Sequence, residues 1–74
     1  MTLSEAERHL TNSRNKLASY GELAASTKRE KTLEAIREEI VRLEIIAQNL
    51  PSRATKIHRL IQAWRRCHAA LWLS

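Results

Sequence analysis

Phenylalanine is missing from this 74-residue chain, and cysteine, glycine and proline each occur once. The lone Cys67 excludes an intrachain disulfide and argues against a structural zinc site, which needs several converging ligands. Scarce Gly and Pro against abundant Leu, Ala, Glu, Arg and Ile is an all-α composition. No run of about 18 apolar residues is present, so nothing is expected to span a membrane. The opening MTLSEAERHL carries acids where a secretion signal would carry bases, which points to a cytoplasmic protein. Nor is there a glycine-rich elbow to present a nucleophilic serine, or a pair of carboxylates converging from separate elements. The expectation is a protein without catalytic residues, metal or cofactor. A chain this short forms one domain at most, with a core that needs regular helix packing or a partner subunit to suffice.

What is present is helical periodicity, strongest over residues 28–50. Leu33, Ile36, Ile40, Leu43, Ala47 and Leu50 alternate steps of three and four, which aligns them on one face of an α-helix. Ile46 widens that face, and Val41 with Ile45 adds a second apolar strip to one side. Such a helix should be covered from two sides and sit at the centre of the fold.

Before it, Ser4-Glu5-Ala6-Glu7 fits a capping box and predicts a first helix from about Ser4 to Ser19 or a little further. Its seam is thin: Leu3, Ala6, Leu10, Ser13, Leu17, Tyr20 and Ala24. Gly21 suits a left-handed helix end, and Thr27-Lys28-Arg29-Glu30 a second capping box; one long helix bent at Gly21 is the rival arrangement. Beyond the second helix, Pro51 ends it and Ser52 can cap a third. Glu38 and Arg42 have the order and spacing of an i,i+4 ion pair. In the third helix Ile57, Leu60, Ile61, Trp64, Cys67 and Leu71 form the apolar face. The fold predicted is all-α: a long antiparallel helical hairpin, about 28–50 and 52–72, with a weaker N-terminal helix laid against it.

Charge is distributed unevenly. Residues 1–51 hold eight Lys or Arg and eight Glu, whereas residues 52–74 hold Arg53, Lys56, Arg59, Arg65 and Arg66 and no acid. The whole net charge of +5 therefore falls on the last third of the chain. Its end, Ala69-Ala70-Leu71-Trp72-Leu73, is apolar nearly all round, which a solvated terminus should not be. Trp72 thus reads as an interface anchor or as a side chain packed on the first helix. His58 and the neighbouring Cys67 and His68 lack the spacing of metal ligands. His68 reads as a packed or interface histidine, and Cys67 as a small buried hydrophobe.

These features point to a protein-binding module: an adaptor, regulator, inhibitor or chaperone acting by helix-face docking on a larger, acidic partner. Trp72, Leu73, Arg59, Arg65 and Arg66 would carry the contact, with Val41 and Ile45 as a second apolar patch. Small size and surplus apolar surface favour a homodimeric bundle closed across a two-fold axis. The alternative is a basic helical dimer whose third helix contacts nucleic-acid phosphates. A DNA-reading helix-turn-helix is disfavoured, because the turn contains Pro51 and the flanking helices are long. In size and outline alone, the chain resembles small secretion co-chaperones and phage-encoded anti-activators.

Overall fold

The structure, a computed structural model, describes residues 2–23 and 29–73. They form α1 (Leu3–Leu23), α2 (Arg29–Asn49) and α3 (Ala54–Leu73), with a 3₁₀ turn at Pro51–Arg53; no strand occurs among them. The fold is all-α, a bundle of three helices on one shared core.

The first helix begins earlier than the Ser4 box suggests. Thr2 is the cap: its Oγ1 accepts from the Glu5 N–H at 3.2 Å and its carbonyl from the Ala6 N–H at 3.0 Å. Thr2-Leu3-Ser4-Glu5 has the same S/T-x-x-E spacing as the box two residues on, and using it extends the helix by half a turn. At the other end, α1 runs through Gly21 to Leu23, with no left-handed glycine. A glycine inside a helix costs about 1 kcal/mol relative to alanine, which a helix docked on two neighbours can absorb. The second capping box, at Thr27–Glu30, lies largely outside the described residues.

Leu50 and Pro51 end α2 as expected, but Ser52 is not the cap of α3. The turn closes through its backbone: Arg53 N–H donates to the Leu50 carbonyl at 3.0 Å, and Ala54 N–H to that of Pro51. Proline at the start of the 3₁₀ turn has no N–H to leave unpaired, so no side-chain acceptor is required there.

The core follows the three-four spacing closely. Leu33, Ile36, Leu43, Ile46 and Ala47 of α2 meet Ile57, Leu60, Ile61, Trp64 and Leu71 of α3, with Ala6 and Leu10 of α1 closing the third side. Ile40, Leu50, Leu17 and Cys67 pack at its margin. Polar groups fix how α1 lies on the other two helices. Glu7 pairs with Arg53 beside the turn, and His9 Nε2 lies 3.0 and 3.1 Å from the two carboxylate oxygens of Glu39. Trp64 Nε1 donates to Ser13 Oγ at 2.9 Å. Ser13 is the one polar residue inside the described core, and its hydroxyl gives the buried indole N–H an acceptor.

One expectation fails here. The second helix is not sandwiched: α1 lies beside the α2–α3 seam, leaving Val41 and Ile45 56% and 53% exposed. A single core shared by three helices needs only one apolar face from each.

Glu38 and Arg42 do not form the expected ion pair, and the neighbouring Glu39 reaches His9 of α1. With His9 and Glu39 only 19% and 10% exposed, this pair is more consequential than a surface one. His9→Leu should destabilise the chain by about 1–3 kcal/mol, since it strands a shielded carboxylate. The double change His9→Leu/Glu39→Leu should recover most of that loss. Denaturant titrations of the four forms test the coupling; additive single effects would place the residues out of contact.

Candidate protein-binding surface

Every residue that the sequence nominates for binding lies at the surface, but not on one surface. The Ile57, Leu60, Ile61, Trp64 and Leu71 stripe faces the core, so Arg59, Arg66 and Leu73 fall on the opposite, outer side of α3. Leu73 is 83% exposed, and neither arginine has a salt bridge among the described residues. No acidic side chain occurs anywhere on α3, so nothing on that helix offsets its positive charge.

Arg65 is placed differently. Its guanidinium donates to Glu44 Oε1 at 3.1 Å, across the junction of α2 and α3. With both side chains about half exposed, that pair contributes little to stability, but it marks which residues are level on the two helices. Trp72 lies two turns beyond Arg65 on the same flank and is 68% exposed. Val41 and Ile45 lie on the outer side of α2, opposite its buried stripe.

Beside the Glu44–Arg65 pair an open groove of about 520 Å³ runs between α2 and α3. Ala47, Ala54 and Ile61 form its floor, and Gln48, His58 and Gln62 with the ion pair form its walls. The alanines are what make it a groove: longer side chains at 47 and 54 would fill it. A smaller cleft of about 140 Å³ between α1 and α2 is ringed by Lys16, Glu38, Glu39 and Arg42.

His68 and Cys67 sit near the core on α3, both partly buried. His68 Nε2 is shielded from solvent and lacks a hydrogen-bond partner. Burial pushes the Cys67 thiol above its ordinary range, which keeps it protonated and unreactive at neutral pH. Among the described residues no three His, Cys, Asp or Glu side chains converge as a metal site would require. No described helix is long and apolar enough to cross a membrane.

Sequence reading alone missed the polar contacts between helices. His9, Glu7 and Glu44 look like ordinary surface residues, and nothing in local spacing pairs them with Glu39, Arg53 and Arg65. Ser13 did carry a signal, as a small polar residue at a core-facing position of an otherwise apolar seam.

Comparison of the chain with protein-family models, with curated proteins and with solved structures finds no match.

Proposed function

We infer that this is a small, non-enzymatic protein-binding module of the cytoplasm, an adaptor, regulator, inhibitor or chaperone for a larger protein. The α2–α3 pair is its platform, a long antiparallel hairpin joined at Pro51, with the Glu44–Arg65 pair supporting that alignment. The observation that carries the reading is the outer face of α3, where Arg59, Arg66 and the exposed Leu73 lie on an acid-free helix. Leu73 supplies apolar contact at the end of that face, and the two arginines steer it toward an acidic partner. A second chain completes the module as a homodimer.

The same outward arginines suit phosphates, which favours one other reading, a helical dimer bound to nucleic acid. Salt separates the two. Duplex binding through Arg59 and Arg66 would weaken steeply with salt, and replacing both with Ala would flatten the log–log slope by about 2. The docking reading predicts no measurable duplex affinity at physiological salt. It also predicts that Arg59→Glu/Arg66→Glu slows association with the protein partner by about tenfold or more. Stopped-flow or biosensor association rates test this, and an unchanged rate would remove those two residues from the interface.

A further inference from the structure

We propose that the outer face of α3 is a docking strip for an acidic amphipathic α-helix, whose carboxylates recur every seven residues to meet Arg59 and Arg66. This rests on the docking reading above and deepens it by giving the partner a secondary structure and a side-chain spacing.

The strip is regular. Thr55, Arg59, Gln62, Arg66, Ala69 and Leu73 advance by four and three residues in turn, which keeps them on one line along the helix. That line lies opposite the buried Ile57, Leu60, Ile61, Trp64 and Leu71, and all six of its residues are exposed. At 1.5 Å per residue it runs about 27 Å from Thr55 to Leu73. Ala69 is short, so a neighbouring backbone can come close beside Leu73, and Gln62 offers an amide between the two guanidinium groups.

Charge shows what the strip lacks. Glu44 and Glu7 reach α3 and the turn before it, and each is taken by an arginine on a flank, Arg65 and Arg53. The helix has no acid of its own. Arg59 and Arg66 therefore have no ion-pair partner among the described residues, and Lys56 on one side adds to their field. Counter-charge for this strip has to come from another molecule.

Spacing then selects the shape of that molecule. Arg59 and Arg66 are two helical turns apart, about 10.5 Å. A second helix alongside, crossing at a shallow angle, repeats its side chains at the same interval, so carboxylates seven residues apart stand level with both arginines. An apolar residue seven further on is then level with Leu73. An extended peptide brings side chains to one face about every 6.6 Å, and 10.5 Å falls between one such step and two. Nucleic acid would satisfy the arginines but not Leu73, which is 83% exposed and gains nothing beside a phosphate backbone. In sequence, the partner carries two Asp or Glu seven apart with a Leu or Ile seven beyond one of them, in either chain direction.

Fluorescence anisotropy of the full chain with alanine-rich helical peptides tests the proposal. One peptide carries two Glu seven apart and a Leu seven beyond, and a second carries the same pattern in reverse order. A control of the same composition has its Glu five apart, which turns them about 140° from each other around the helix. One of the two matched orders should bind at least about tenfold more tightly than the control at physiological salt. Arg59→Glu/Arg66→Glu should lose that binding and take up the same peptide with Lys in place of Glu, and circular dichroism should show both chains equally helical. Equal binding of matched and control peptides overturns the helical spacing while leaving an acidic partner in place. Failure of both matched orders to bind overturns the helical partner. The docking reading fails separately, by an unchanged association rate of Arg59→Glu/Arg66→Glu with the protein partner. Tighter binding of a DNA duplex through the same two arginines overturns both.

Discussion

Trp64→Ala should leave the chain largely unfolded at room temperature. The indole is fully buried where all three helices meet, and its N–H is held by Ser13. Removing a buried tryptophan costs about 3–5 kcal/mol. It also strands the Ser13 hydroxyl in the core, at about 1–3 kcal/mol more. A domain of this size has a total stability near the lower end of about 5–15 kcal/mol. Far-ultraviolet circular dichroism should therefore show lost helicity without denaturant. A cooperative transition within 1 kcal/mol of wild type would show that Trp64 does not hold the bundle together.

The second large effect is a contrast on a single helix. Leu43 and Ile45 are two residues apart on α2, yet one is fully buried and the other 53% exposed. Leu43→Ala should lower stability by about 2–5 kcal/mol through lost burial and the cavity left behind. Ile45→Ala should stay within about 0.5 kcal/mol, as surface substitutions do. Urea titration of the two variants reads the difference directly. Equal losses would mean that the outer strip of α2 is covered, and that the α1 placement described above is wrong.

That contrast also shows how much the sequence could convey. The buried face of α2 was legible because a three-four repeat sustained over five turns has one helical solution, and Leu33 through Leu50 follow it. The face of α3 was legible for the same reason. What period alone does not decide is which of two apolar strips is covered, because that depends on where a third helix lies. The position of α1 is fixed by His9, Ser13 and Glu7, through partners 30, 51 and 46 residues away in sequence. Apart from Ser13, a small polar residue in an otherwise apolar seam, these residues carry no local sign of their partners. Helix ends were misjudged for a related reason: Thr2 and Ser4 carry the same capping signature, and a glycine disfavours a continuing helix by only about 1 kcal/mol.

The candidate binding residues were legible as a composition, a basic acid-free segment ending in Trp72 and Leu73, but not as a site. Folding separates them: Arg65 goes to an ion pair, Trp72 to the α2 flank, Arg59 and Arg66 to the outer face.

The most direct test of the docking reading is a comparative capture from lysate of the source cells. Wild-type chain and the Arg59→Glu/Arg66→Glu/Leu73→Glu variant would be immobilised at equal density, after nuclease treatment and at low and high salt. The account predicts one protein held by the wild type and lost from the variant, with both baits equally helical. Capture that is identical on the two baits, or material that disappears with nuclease, would contradict it.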